Sequence, residues 1–230
     1  MLAELVALAV PPRCAACHAP TPRAPGLLCG ACRRALPWLP ADCCRRCALP
    51  RPCGRCPARD APFCAAWAAV AYEGVARDAL HALKFAAARP LADVMAAHIA
   101  AGAPPGILEG AIVAVPAHPG RRRTRGFDPA QLVARSLARR TGLPLVAALA
   151  RGGAPTRQLG ASREVRRMAG RFDIRARETA PERVVLVDDV HTTGSTLSAC
   201  GEALRGSGSR QISAVTWART LDDRCVEANR

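Results

Sequence analysis

Aromatic side chains make up only 3% of this 230-residue chain, 4 Phe, 3 Trp and 1 Tyr, so no aromatic-rich hood for stacking a nucleobase is visible. Lysine is nearly absent: Lys84 stands alone among 33 basic residues. No apolar run approaches the roughly 18 residues of a membrane span. The opening MLAELVALAV lacks the basic start and cleavage site of a secretory signal. Both absences predict a cytoplasmic protein with no transmembrane segment. Neither GxGxxG nor GK[ST] occurs, which excludes the dinucleotide fingerprint and the Walker phosphate loop. Wholesale disorder is excluded as well, because the chain is 50% apolar and long enough to bury a core.

What is present is unevenly placed. The net charge is +15. Residues 111–180 carry 15 Arg against 4 acids, whereas residues 66–110 and 181–230 are each close to neutral. Clustered arginine of this kind fits an anionic ligand, phosphorylated or polymeric. The cysteines divide the chain more sharply, with ten of the 12 in the first 64 residues. Eight of them form four CxxC pairs: Cys14/Cys17, Cys29/Cys32, Cys44/Cys47 and Cys53/Cys56. A two-residue gap lets both thiolates turn toward one metal ion. Four pairs allow two four-cysteine sites, in sequence order or interleaved, or a single site. Zinc fits best. An iron–sulfur cluster uses the same ligands, and disulfides would need an oxidising compartment. Residues 11–65 hold almost no long apolar run, so cross-linking by metal has to supply stability there. Arg45, Arg46, Arg51 and Arg55 offset the negative charge of such a centre. Cys43 and Cys64 are spare, and His18 reads as a surface residue. The predicted organisation is a cysteine-rich, double zinc-ribbon-like module over 1–65 and a second domain over 66–230.

From residue 66 apolar strand-like segments alternate with helical ones. Strands are expected at 67–72, 111–115, 145–149, 184–187 and 211–217, and helices at 75–87, 91–100, 128–140 and 196–205. Asp128-Pro129 reads as an N-cap with proline at the first helical position, and Pro119-Gly120 reads as a turn. The alternation predicts an α/β fold with a mostly parallel sheet flanked by helices.

The most specific stretch is VVLVDDVHTTGST, residues 184–196. An uncharged apolar strand ends in Asp188 and Asp189, and a Thr/Gly/Ser loop then opens a helix. The backbone N–H groups and hydroxyls of Thr192, Thr193, Gly194, Ser195 and Thr196 can surround a phosphate, helped by the helix N-terminus. Two carboxylates cannot favourably meet that phosphate, but they suit sugar hydroxyls, which donate, or Mg²⁺. A phosphorylated ribose has this polarity.

This stretch resembles the phosphoribosyl-diphosphate motif of type I phosphoribosyltransferases. The resemblance implies that Asp188 and Asp189 contact ribose hydroxyls and that residues 192–196 hold the 5′-phosphate. The chain over residues 12–218 resembles the ComF/GntX family, which serves DNA uptake and DNA utilisation and joins a zinc-finger-like module to a phosphoribosyltransferase domain. AYEGVARDALHALKF, residues 71–85, brings Lys84 into the comparison as a phosphate-facing residue. VPAHPGRRRTRGFDPAQLVA, residues 115–134, places Arg121, Arg122 and Arg125 near the diphosphate, and Asp128-Pro129 stands where the family has Asn-Gln. TRQLGASREVRRMAGRF, residues 156–172, matches at Gln158, Arg163, Arg167 and Phe172, with Met168 in place of the usual Asn.

What the resemblance implies for function is a phosphoribosyl-diphosphate-binding, phosphoribosyltransferase-like protein using Mg²⁺, with single-stranded DNA and a DNA-uptake machinery or helicase as partners. His191 is the one titratable side chain in the loop, and so the candidate base, at a position variable among relatives. Two other readings stand beside this one: a nucleic-acid-binding zinc protein with a non-catalytic fold, and a nucleotide-salvage transferase. The four CxxC pairs count against a plain salvage enzyme. The complete set of residue types in 188–196 counts against lost chemistry.

Overall fold

The computed structural model describes residues 12–21, 27–53, 56–152, 173–177 and 179–221. Four parallel strands form the main sheet in the order β1-β6-β5-β2, with β1 at Ala65–Ala71, β2 at Ala111–Ala114, β5 at Arg183–His191 and β6 at Gln211–Arg219. A two-stranded antiparallel ladder, β3 (Leu149–Arg151) with β4 (Ile174–Ala176), stands beside it. Helices α1 (Gly30–Arg34), α2 (Gly74–Phe85), α3 (Leu91–Gly102), α4 (Pro119–Arg125), α5 (Pro129–Thr141) and α6 (Ser195–Gly206) complete the described elements.

The uniformly apolar run in β5 follows from its central position, since a strand covered on both faces needs apolar side chains at odd and even positions alike. Val185 and Val187 enter the core beneath α2, α3 and α5, whereas Val184 and Leu186 enter the core beneath α6 and β3. The cysteine-rich segment is built into both cores. Cys14, Leu28, Cys32 and Leu36 pack with the first, and Cys47, Leu49 and Phe63 with the second. Residues 37–39 also run along the free edge of β1, where Leu39 N–H donates to the Ala69 carbonyl at 3.0 Å and Ala71 N–H to the Pro37 carbonyl at 2.8 Å. That segment blunts an otherwise open sheet edge.

Most expected elements are present to within two or three residues. Two expectations need correction. Pro119-Gly120 is the start of α4 rather than a turn: His118 Nδ1 accepts from Gly120 N–H at 3.1 Å, and Pro119 sits in the first turn, where its missing donor costs nothing. Leu145–Leu149 is not a continuous strand. Leu145 makes a single parallel bridge to Ile112, and the chain then turns away so that Leu149 begins β3. The expected N-cap holds: Asp128 Oδ1 accepts from Gln131 N–H at 3.4 Å, with Pro129 next in the helix. Among the described residues no helix is long and apolar enough to cross a membrane.

Candidate functional site

The eight CxxC cysteines assemble in sequence order into two groups, Cys14/Cys17/Cys29/Cys32 and Cys44/Cys47/Cys53/Cys56, with the sulfurs of each group all within 4.8 Å of one another. Cys17 and Cys29 Sγ are 3.7 Å apart, and Cys44 and Cys56 Sγ are 3.9 Å apart. A tetrahedral ion with metal–sulfur bonds of about 2.3 Å would set its ligand sulfurs about 3.8 Å apart. A disulfide needs about 2.05 Å, and a four-iron cube would not fit between sulfurs this close. Each group can therefore hold one tetrahedral ion. Burial pushes the Cys14 thiol up, but backbone N–H groups of Cys17, Cys29 and Ala16 outweigh it and bring it down to about 6. Cys44 is brought down to about 7 in the same way by the N–H groups of Arg46 and Cys47. One readily formed thiolate per group suits metal capture. Cys43, Cys64 and His18 belong to neither group. Gly54 and Arg55 lie outside the described residues.

The first halves of the two groups are copies of one knuckle, 30 residues apart, that the sequence reading missed. Cys14–Pro20 and Cys44–Pro50 share the CxxCxxP spacing. In each, the residue after the second cysteine is left-handed, with φ 59° at His18 and 58° at Ala48. Each turn is closed by paired backbone bonds, Cys14 N–H to Ala19 O at 2.9 Å and Cys44 N–H to Leu49 O at 2.8 Å. The copies serve opposite faces of the sheet.

At the carboxyl end of β5, Asp188 and Asp189 sit side by side, with the Asp188 carboxylate accepting from Asp189 N–H at 2.8 Å. Lys84, near the end of α2, reaches Asp189 Oδ1 at 2.9 Å, with only 21% and 12% of the two side chains exposed. The only lysine thus meets the acidic pair. Asp128 joins them from the start of α5, its Oδ2 accepting from Ala117 N–H at 2.8 Å. Burial, then the charge of Asp189, pushes the Asp188 carboxyl well up. Burial likewise raises Asp128, with Asp189 adding to the effect and backbone donors opposing it. Three carboxylates thus interact electrostatically, with Lys84 on Asp189 and Arg151 acting on Asp188 as the cations, a setting that favours a divalent cation or hydroxyl donors.

The loop beyond is built to donate. Gly194 caps α6 in the left-handed conformation, φ 80°, and as a glycine offers no side-chain cap; the Thr193 hydroxyl accepts from Ser195 N–H at 3.4 Å. A Cβ on Gly194 would lie 2.8 Å from His191 Nε2. Thr193 and Ser195 hydroxyls share a hydrogen bond at 2.9 Å, and Thr192 and Thr193 are exposed. Hydroxyls and backbone N–H groups thus gather at the positive end of a helix, which suits a phosphate.

His191 lies elsewhere in this arrangement. It is 3% exposed, packs edge-on to Phe63, and burial, aided by Arg219, lowers its pKa to about 3. Its ring supports the loop from beneath as a neutral group. Arg121 and Arg122 are exposed on α4. The Arg125 guanidinium stacks 4.8 Å over Phe85, beside Lys84. Arg151, at the end of β3, interacts electrostatically with Asp188 and Arg121 and is a cation that sequence reasoning overlooked. Arg219 was overlooked too; it is 2% exposed and donates to the His191 and Thr192 carbonyls. Gln158, Arg163, Arg167, Met168 and Phe172 lie outside the described residues.

A family model described as phosphoribosyl transferase domain matches residues 123–227. The chain is 28% identical over 231 residues to a protein of Salmonella typhi named DNA utilization protein YhgH, covering 93% of this chain and all of that one. Among solved structures, it is similar to a Bacillus subtilis glutamine phosphoribosylpyrophosphate amidotransferase complexed with ADP and GMP, at 20% identity and a TM-score of 0.36. A structure described as the allosteric regulatory enzyme of purine biosynthesis matches at 22% identity and a TM-score of 0.37. Each of these two matches covers 55% of this chain and a quarter of the other.

Proposed function

We propose that this chain binds phosphoribosyl diphosphate with Mg²⁺ at the end of β5 and acts as a phosphoribosyltransferase-like protein of the ComF type in DNA uptake or DNA utilisation, with zinc in both cysteine clusters. The observation that carries the reading is the polarity of residues 188–196. Carboxylates that accept hydrogen bonds stand at one end, and a helix start capped by glycine, with hydroxyls that donate, stands at the other. Asp188 and Asp189 receive the ribose hydroxyls, and Thr192 to Thr196 receive the 5′-phosphate. Asp128 and the acidic pair supply oxygen ligands of the kind Mg²⁺ prefers. When bound, Mg²⁺ offsets the charge that grows on a departing diphosphate. Arg121, Arg122 and Arg125 on α4 add fixed positive charge on that side. Lys84 holds the Asp189 carboxylate in place until ligand and metal arrive. The likeness to a DNA utilization protein supports the biological setting, and the exposed arginines of α4 suit the backbone of single-stranded DNA.

Titration calorimetry tests the reading. Wild-type protein with Mg²⁺ binds phosphoribosyl diphosphate, and the double variant Asp188→Ala, Asp189→Ala does not. Absence of binding to the wild type would remove the proposal.

A further inference from the structure

Arg219 is a buried cation placed between two sites that nothing else in the described chain joins so directly. Its Nε donates to the Cys47 carbonyl at 2.9 Å. Its Nη1 donates to the His191 carbonyl at 2.9 Å, to the Thr192 carbonyl, and to the Thr220 carbonyl at 2.8 Å. One side of the guanidinium thus holds the backbone of a cysteine in the second cluster. The other holds the two residues through which β5 enters the phosphate loop. A planar fork spreads five donors over three nitrogens and bridges two backbones in this way, whereas an ammonium places its three donors on one nitrogen. Contacts on either side of the bridge are firm. Ala66 N–H donates to the Arg45 carbonyl at 2.7 Å, tying the second knuckle to β1. Phe63 packs against His191 beneath Gly194. The first cluster packs on the opposite face of the sheet, away from that side of β5 and from Phe63.

We infer that Arg219 is a positioning residue that couples metal occupancy of the Cys44/Cys47/Cys53/Cys56 cluster to the geometry of the 192–196 phosphate loop. A bound ion fixes the 44–50 turn and with it the Cys47 carbonyl. Arg219, anchored there, fixes the carbonyls of His191 and Thr192, and so the directions of the following N–H groups. Loss of the ion frees the anchor, and the loop loses its preorganisation for phosphate. By linkage the effect is reciprocal: a ligand that orders the loop tightens the second cluster. The inference rests on the proposed phosphate site for its ligand but not for its mechanical link.

Peptide-resolved hydrogen exchange on the full metal-loaded chain tests both parts, and the two knuckles provide an internal control. Phosphoribosyl diphosphate with Mg²⁺ slows exchange in 44–50 and leaves 14–20 unchanged. Arg219→Lys abolishes that remote protection and weakens ligand binding at least tenfold, within the usual range of intersite coupling. Protection of 183–187 reports whether the variant is folded; should it fail to fold, the wild-type contrast between 44–50 and 14–20 decides. A second arm needs no ligand. Stripping metal with a chelator speeds exchange in 191–197 at least fivefold in the wild type, and much less in Arg219→Lys, where the link is already broken. If wild type fails to bind the ligand, the phosphate reading falls while the chelator arm still judges the link. Equal protection of both knuckles, an unaffected Arg219→Lys variant, or a second cluster that takes up no metal would overturn the inference.

Discussion

Replacing Lys84 by methionine keeps the side-chain stem and removes the ammonium that faces Asp189 at 2.9 Å. At that distance and an effective dielectric of about 20, the gross attraction is about 6 kcal/mol. Desolvation of both groups cancels much of it. Breaking a fully buried pair costs about 3–5 kcal/mol, whereas exposed pairs contribute at most about 1 kcal/mol. With 21% and 12% of the side chains exposed, the pair lies between these cases, and Lys84→Met should destabilise the fold by about 2–3 kcal/mol at pH 8. The pH dependence carries the sharper content. Asp188 is already raised by burial and by the charge of Asp189; the Asp189 N–H opposes the rise, and Lys84 is the charge that does so. A carboxyl whose folded pKa lies above its unfolded value binds more protons when folded, so stability falls as pH rises through the window between the two. Without Lys84 that window widens upward. The difference between variant and wild type should therefore be largest at pH 8 and shrink toward the ordinary carboxylate pKa of about 4. Mg²⁺ should narrow it by giving the carboxylates a new partner. Urea melts of both proteins at pH 4, 6 and 8, with and without Mg²⁺, provide the measurement. A stability difference that is the same at all three pH values and indifferent to Mg²⁺ would refute the electrostatic account.

Gly194→Ala should destabilise by about 1–2 kcal/mol, because a Cβ is strained at φ 80° and meets His191 at 2.8 Å. It should also weaken phosphoribosyl-diphosphate binding, read by thermal melting and calorimetry. Native mass spectrometry should find two metal ions per chain. Cys53→Ser should leave one of them tightly held, and its melting temperature should fall, since the second cluster shares a core with the sheet. Combined Arg121→Ala, Arg122→Ala and Arg123→Ala should leave stability nearly unchanged and flatten the salt dependence of single-stranded DNA binding measured by fluorescence anisotropy.

Local chemistry in this chain is legible wherever one stretch of sequence contains the whole device. Residues 184–196 show an apolar strand, an acidic end and a glycine-bearing loop in one line, and Asp128-Pro129 states its own helix start. The cysteine spacing announces tetrahedral sites, but it cannot say that one cluster lies on each face of the sheet, because that depends on long-range packing. The repeat at Cys14–Pro20 and Cys44–Pro50 was available to be read as a 30-residue offset, but only the fold shows the sequential pairing. Arg219 gave no such signal. An arginine at the end of an apolar strand looks like a solvated terminus until the fold brings Cys47, 172 residues away in sequence, against it. The start of α4 was misread because glycine in its first turn reads as a break, while the cap that rescues it comes from His118.

The central claim is that one sheet edge holds a ribose by its hydroxyls and by its phosphate. A crystal grown with phosphoribosyl diphosphate and Mg²⁺ tests it most directly. The account predicts the sugar hydroxyls on Asp188 and Asp189, and the 5′-phosphate within hydrogen-bond reach of the N–H groups of residues 193–196. A ligand bound elsewhere, or an edge left empty at saturating concentration, would contradict it.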